Sequence, residues 1–307
     1  ISKIEDAEVF GIGARDKKRA DEFASKFNIT HSYGSYEELL DNQEIELIYI
    51  ATPHSHHYEQ IKLCLEYGKH VLCEKAFTIN EKEAREVFQI AQDKNLLVTE
   101  AMWTRYMPSR DIINQVIDQG KIGEIKTLTA NLAYLIGDKD RIIKPELAGG
   151  ALLDIGIYTI NFALMHFGKD ITKITSTAML MDSGVDGQHN INILYKDGKM
   201  AVLNSSVYGL SDGCGTFYGT KGYMEVQNIN NPTEIRIYDM QKNLIERIEI
   251  PNQITGYEYE VIETIKSIKL GKKQCPSMLH EESLFVLEIM DSLRKEWGVK
   301  YPRENCK

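Results

Sequence analysis

The first hundred residues alternate strand-like and helix-like segments, and no other feature of the chain narrows its possible folds as much. Ala7 to Ala14 (AEVFGIGA) is a short apolar run of strand type. From Lys17 to Phe27, the apolar residues Ala20, Phe23, Ala24 and Phe27 fall at i, i+3, i+4 and i+7, one face of a helix. Ser35 reads as the N-cap of a second helix. Leu47 to Thr52 is apolar on both faces, as strands of a parallel sheet are. A helix is predicted from about His57 to Tyr67, ended by Gly68. His70 to Lys75 is the next strand, and Asn80, with Glu83 three residues on, resembles a capping box for a helix to about Lys94. Leu96 to Glu100 is a further strand. Strands linked through helices by short connections form a parallel sheet covered on both faces, with ligands beyond the C-terminal strand ends.

Beyond Ala101 the pattern changes, so the reading divides the chain into 1–101 and 102–307. Pro108 to Gln119 is helical, with Ile112, Ile113, Val116 and Ile117 inward. Strand-like runs follow at 126–134, 171–181, 191–196, 200–208, 223–226, 234–238 and 245–250. Asp197-Gly198 is a hairpin signal between two of them. Helices return at 257–270 and 281–297. The expected fold class is α/β: a Rossmann-type doubly wound parallel sheet plus an α+β domain with an open-faced, largely antiparallel sheet.

Composition excludes several function classes. With 36 basic and 45 acidic residues the net charge is −9, which disfavours a phosphate-backbone binder, so nucleic acid is not an expected partner. No apolar stretch is read as approaching the ~20 residues of a membrane span, and none as a signal peptide, so no membrane association is expected. Cys64, Cys73, Cys214, Cys275 and Cys306 are scattered and odd in number, which reads as free thiols in a reducing cytoplasm.

Four segments carry candidate chemistry. Gly11-Ile-Gly13 starts like a phosphate-binding turn, but residue 16 is Asp where the turn needs its last glycine. The better reading makes Ala7–Ala14 the second strand of a dinucleotide fold. Ala14 and Arg15 then stand where the adenosine ribose is read, and an arginine there suits a 2′-phosphate. A solvated surface arginine is the plain alternative. Thr52, Pro53, His54 and His57 end a buried strand, in ligand position; the three histidines at 54, 56 and 57 lack a supporting carboxylate or thiol, so no metal is expected. Glu74 and Lys75 end the next strand, where partial desolvation would lower a lysine pKa. Asp154 and Tyr158 lie four apart after a Gly-Gly pair and share a helix face; across a groove from Lys75 they would make a proton-transfer set. A capping Asp with a packed Tyr is the plain alternative.

GARD at 13–16, ATPHSHH at 51–57, EKAFTIN at 74–80, EAMWTRYMP at 100–108 and GGALLDIGIY at 149–158, in that order over nearly the whole chain, resemble the glucose–fructose oxidoreductase / inositol dehydrogenase / MocA-type family. The similarity is greatest to its dihydrodiol dehydrogenase and xylose dehydrogenase branch. It implies hydride transfer between NADP (with NAD possible) and a hydroxyl-bearing carbon of a sugar, inositol or cyclic diol, in a homodimer or homotetramer joined through the C-terminal sheet. The family's EKP lysine matches Lys75, and its D-x-x-x-H/Y pair matches Asp154 and Tyr158. In this frame Lys75 lowers the Tyr158 pKa, Asp154 orients the substrate or Lys75, and Ala14, Arg15, Thr52, Pro53, His54, His57, Glu74 and Lys75 hold the cofactor. Trp103 and Arg105, at the domain junction, shape the pocket and are counted among the cofactor contacts. The sequence departs from the family's pattern at Ala76, where proline is usual, and at His54, where asparagine is common. The family's first strand and glycine-rich turn do not appear before Arg15, so the sequence is expected to be incomplete at its start or a remnant. A sugar- or cofactor-sensing regulator without turnover is the alternative function.

Overall fold

The computed structural model describes residues 1–305. Strands β1 (Gly11–Gly13) and β2 (His31–Tyr33) pair in one sheet, and β3 (Leu47–Ile50), β4 (His70–Glu74) and β5 (Val98–Ala101) pair in that order in another; every pairing is parallel. The single sheet expected from the alternation is therefore two sheets that share no ladder. β1 occupies only the end of the apolar run from Ala7, and β2, His-Ser-Tyr, is too short and polar to give a strand signal.

The helices of this half start where capping chemistry places them. Asp16 caps α1 (Lys17–Phe27), its carboxylate accepting from the Arg19 amide at 3.2 Å. Ser35 caps α2 (Tyr36–Asp41), and Asn80 caps α4 (Glu81–Asp93). Between them α3 (His54–Glu66) begins three residues earlier than the sequence reading put it. Pro53 is its N-cap, with φ −60° and ψ 149°, and the donor that proline lacks is not needed there.

The second half holds α5 (Pro108–Asp118), β6 (Ile125–Ala133), α6 (Asp140–Ile143), α7 (Ile157–Phe167), β7 (Ile171–Leu180), β8 (Asp186–Tyr195), β9 (Met200–Ser206), β10 (Gly215–Gly219), β11 (Gly222–Gln227), β12 (Glu234–Asp239), β13 (Leu244–Glu249), α8 (Glu258–Lys269) and α9 (His280–Trp297). Its eight strands form one sheet in the order β13-β12-β11-β10-β6-β9-β8-β7. All pairings are antiparallel except β6 with β9, so the sheet is mixed. The register sorts the side chains by face. Ile237, Met224, Phe217, Leu128, Ala201 and Ile193 are successive cross-strand partners and all fully buried. One step along, Tyr238, Tyr223, Tyr218, Thr127, Met200 and Leu194 form the outer row. Each large side chain of the inner row contributes about 1.5–3 kcal/mol on burial, which fixes the register, since a one-residue slip would exchange the rows.

One helical stretch, Pro145–Phe167, is long and apolar enough to cross a membrane, contrary to the expectation that no segment comes near that length. It is 89% buried inside the protein and packs as a core helix, with Phe162 against Phe217 of β10. Cys64, Cys73, Cys214 and Cys275 are free thiols; Cys306 lies outside the described residues.

Candidate active site

Lys75 leaves the end of β4 on a loop fixed from below. The buried Glu100 carboxylate of β5 accepts from the Phe77 amide at 3.1 Å and from Ser283 Oγ of α9 at 2.7 Å. His57, fully buried in α3, lies 2.9 Å from the Ala76 carbonyl and 2.8 Å from the Thr52 carbonyl. Burial holds its imidazole below the usual pKa, so the neutral ring donates to one carbonyl and only faces the other. His57 thus ties the β3 loop to the β4 loop and, with no exposed surface, does not line a groove itself. The Lys75–Ala76 peptide bond is cis.

Asp154 and Tyr158 come from the other half. Residues Leu152–Gly156 form a π-helical turn that runs directly into α7. The turn is held from behind by Asp186 of β8, whose carboxylate accepts from the Leu152 amide at 2.8 Å and from His189 Nδ1 at 2.9 Å. Two glycines allow this approach. Gly150 has φ +111°, and a Cβ there would meet Asp186 Oδ1 at 2.4 Å; a Cβ on Gly156 would meet His189 Nε2 at 2.6 Å.

The three residues of the expected proton-transfer set meet across the junction. Lys75 Nζ donates to the Asp154 carbonyl oxygen at 2.6 Å, lies 3.5 Å from Asp154 Oδ1, and sits 4.9 Å from the centre of the Tyr158 ring. Arg141 of α6, half exposed, also pairs with Asp154 Oδ1. Burial alone would raise the Asp154 pKa, but Lys75, His54 and Arg141 bring it to about 2. His54 Nδ1 lies 3.1 Å from the Ala148 carbonyl; burial first, then the Lys75 charge, push its pKa down to about 4, so it is neutral at pH 7. The phenol behaves differently from the expectation. Burial, then Glu74 and Tyr257, hold the Tyr158 pKa well above its ordinary value, and Lys75 lies over the ring face rather than beside the oxygen.

Trp103, in a 3₁₀ turn after β5, donates its indole N–H to the Tyr158 oxygen at 3.2 Å and stacks on Tyr257 at 4.1 Å and 6°. Glu74 accepts from the Tyr49 hydroxyl of β3, which also lies 3.5 Å from Glu260 of α8. Burial and the nearby Glu74 charge raise the Glu260 pKa well above the carboxylate range. Arg105 is a correction. It is 2% exposed, donates from Nε to Asn161 at 2.6 Å and pairs with Glu282 at 3.0 Å, so it ties α7 to α9 and cannot reach a cofactor. Thr52 Oγ1 donates to Gln60 at 2.7 Å. Ala14 is partly exposed at the end of β1, its amide bonded to the Tyr33 carbonyl. Arg15 lines a cavity of about 240 Å³ with Tyr36, His56, Glu59, Gln60, Leu63 and Arg303. Arg141, Tyr257, Tyr49 and Glu260 escaped the sequence reading, and no local motif marks them; each is brought in by tertiary packing.

Comparison with known proteins fits this geometry. Residues 2–102 match the GFO/IDH/MocA oxidoreductase family, NAD-binding Rossmann fold, and residues 112–225 match the GFO/IDH/MocA C-terminal domain. Trans-1,2-dihydrobenzene-1,2-diol dehydrogenase from Mus musculus is 33% identical over 97% of this chain and 91% of its own length. The chain belongs to the GFO/IDH/MocA oxidoreductase family. The Homo sapiens dihydrobenzenediol dehydrogenase is 32% identical over 97% of the chain. Among solved structures, KijD10, a 3-ketoreductase from Actinomadura kijaniata in complex with NADP and TDP-benzene, superposes with a TM-score of 0.86 at 25% identity, covering 94% of this chain and 89% of that one. An aldose–aldose oxidoreductase from Caulobacter crescentus shares the fold, with a TM-score of 0.83 at 20% identity. As a member of this family, the chain is an NAD(P)-dependent oxidoreductase, as its motifs led one to expect.

Proposed function

We propose that the chain is an NADP-preferring oxidoreductase of a cyclic diol or sugar, with Lys75, Asp154 and Tyr158 as its reacting groups. The observation that carries this reading is the meeting of Lys75 from the parallel-sheet half with Asp154 and Tyr158 from the other half, within hydrogen-bond or ring-contact distance. Such a cluster serves turnover and is not needed by a regulator that only senses a ligand. The residues also fit the dinucleotide. The Arg15 guanidinium is exposed, makes no ion pair with the described residues and lines a slot with His56, Gln60 and Arg303; Asp16, the carboxylate that would suit a 2′-hydroxyl, is occupied as the α1 cap. Bound nicotinamide would supply or accept the hydride. Arg15 would hold the 2′-phosphate, and the β3 and β4 loops with Thr52, Pro53, His54, Glu74 and Lys75 would line the cofactor groove.

The protein's own task is to bind, orient and move a proton. A phenol whose pKa is held high stays protonated at neutral pH, so Tyr158 donates its proton to a carbonyl oxygen in the reductive direction. Lys75, anchored on the Asp154 backbone, fixes the substrate oxygen and offsets charge that develops on it; Asp154, always ionised, balances Lys75. The mammalian and amphibian relatives act on trans-1,2-dihydrobenzene-1,2-diol, which supports a vicinal diol or its keto form as the substrate class. The outer row of the eight-stranded sheet carries the stacked Tyr223 and Tyr238, with Tyr218 and Met200 exposed, and supports pairing of two copies through that face. The free thiols support a cytoplasmic setting. The test is a panel of aldoses, inositols and cyclic diols with both cofactors. On the best substrate, Tyr158→Phe should lower kcat about 10²–10⁴-fold with NADPH affinity unchanged. Near-normal kcat would make Tyr158 a packing residue.

A further inference from the structure

The cavity of about 240 Å³ beside Arg15 is assembled from four separate parts of the chain. Arg15 follows β1, and Tyr36 is the first residue of α2. His56, Glu59, Gln60 and Leu63 are spaced i, i+3, i+4, i+7 along one face of α3. Arg303 comes from the 3₁₀ turn Pro302–Asn305. Arg303 is held in place: it donates to the Ser55 carbonyl at 2.8 Å, pairs with Glu59 at 2.5 Å and with Glu83 at 3.4 Å, and lies 5.0 Å over the Tyr58 ring. Its charge is therefore largely matched. Arg15 and the His56 imidazole, by contrast, make no side-chain hydrogen bond or ion pair with the described residues. On the same helix, His54 and His57 are buried inward, so His56 is the only histidine of the three that faces this cavity.

We propose that His56 is a specificity-determining residue for the 2′-phosphate of NADP(H): the phosphate binds in this cavity between His56 and Arg15, and the imidazole takes up a proton from solvent as it does. The inference rests on the cofactor reading given above and extends it to a residue and a proton that the reading does not require. The electrostatics run in the required direction. Facing the imidazole are the Arg15 and Arg303 guanidiniums, the Glu59 carboxylate already bound to Arg303, and the Tyr36 phenol. Partial burial, then Arg15 and Arg303, hold the His56 pKa below its ordinary value, so the ring is uncharged at neutral pH. A phosphate dianion in the same slot reverses the sign of the local field and favours imidazolium, which then donates a charge-assisted hydrogen bond. NADH, which has a 2′-hydroxyl, brings no such charge. Proton uptake is thus linked to NADPH alone, and discrimination between the two cofactors must sharpen as pH falls.

The test measures dissociation constants of NADPH and NADH by fluorescence titration from pH 7 to pH 9. The phosphate itself, with a second pKa of about 6, is already dianionic over this range. The NADPH constant should rise roughly fivefold to tenfold across the range while the NADH constant stays flat. Calorimetry in two buffers of different ionisation enthalpy should show proton uptake with NADPH and none with NADH. His56→Gln, which removes the titrating group, should abolish both signatures while keeping NADH affinity, and so report that the fold is intact. His56→Lys should keep NADPH binding tight up to pH 9. If wild-type NADPH binding is tighter than NADH but follows the same pH course, or if His56→Gln retains the wild-type course, the role of His56 is overturned and the NADP reading survives. If NADPH is no tighter than NADH at any pH, both are overturned.

Discussion

At the residue scale, charge placement decides what each side chain can do. Asp154 has two cations on one oxygen, and its pKa near 2 makes it a permanent anion. Lys75→Met removes the ammonium that spans Asp154 and the Tyr158 ring. It should cut kcat by at least about 10²–10⁴-fold and also loosen cofactor binding, read by turnover and by titration of NADPH separately. Arg15→Ala should weaken NADPH by roughly 1.5–3 kcal/mol, the worth of a charge-assisted contact, and leave NADH almost unchanged; equal losses for both would place the 2′-phosphate elsewhere. These residues were legible in the sequence because each ends a strand or opens a helix inside a recognisable motif. Arg105 was misread for a related reason. It stands in such a motif too, yet its partners Asn161 and Glu282 belong to helices that only the tertiary fold brings near it.

At the element scale, the π turn 152–156 is what aims Asp154 and Tyr158 together, and Asp186 and His189 of β8 support it. Gly150→Ala puts a Cβ into a left-handed backbone and against the Asp186 carboxylate. It should destabilise the protein by roughly 2–4 kcal/mol, combining backbone strain and overpacking. Thermal unfolding should shift down by several degrees, and kcat should fall while NADPH affinity holds, because the dinucleotide-binding half is untouched. Element boundaries followed the caps the sequence showed: Ser35 and Asn80 mark their helices in both sequence and structure, whereas Asp16, read in the sequence only as the residue that breaks the glycine turn, proves to cap α1. β10, Gly-Thr-Phe-Tyr-Gly, gave no signal because two glycines flank a three-residue core, and only its neighbours β6 and β11 make it a strand. The parallel β6–β9 pairing was equally hidden, since register between distant segments leaves no local trace.

At the scale of the whole molecule, several titratable groups are buried in one charge state, and stability must follow. Burial lowers His54 to about 4 and His166 to about 3, from 6.5. A depressed histidine pKa stabilises the fold fully above 6.5, and that stabilisation is lost as pH falls through 6.5 toward 4 and 3. Each group contributes on the order of 3 kcal/mol. Glu260 has the opposite sign: its raised pKa costs stability as pH climbs past 4.5. A difference measurement separates them. Melting temperatures of wild type and His166→Gln, taken from pH 8 to pH 4, should converge as pH falls, with the variant showing the shallower slope on the acid side. Parallel curves would mean that His166 takes up its proton as readily in the folded state as in the unfolded one.

The stack of Trp103 on Tyr257 has an optical consequence. The chain has two tryptophans, and the other, Trp297, packs on His189 behind the π turn. One emitter therefore touches the Tyr158 hydroxyl while the second watches the support of the helix that carries it. Trp297→Phe would leave a single-tryptophan protein whose indole emission comes from the reaction centre. A reduced nicotinamide brought beside Lys75 would drain that emission by resonance energy transfer. The enzyme thus carries its own dye, placed by packing at the point where occupancy matters, and each ligand could be followed without a label.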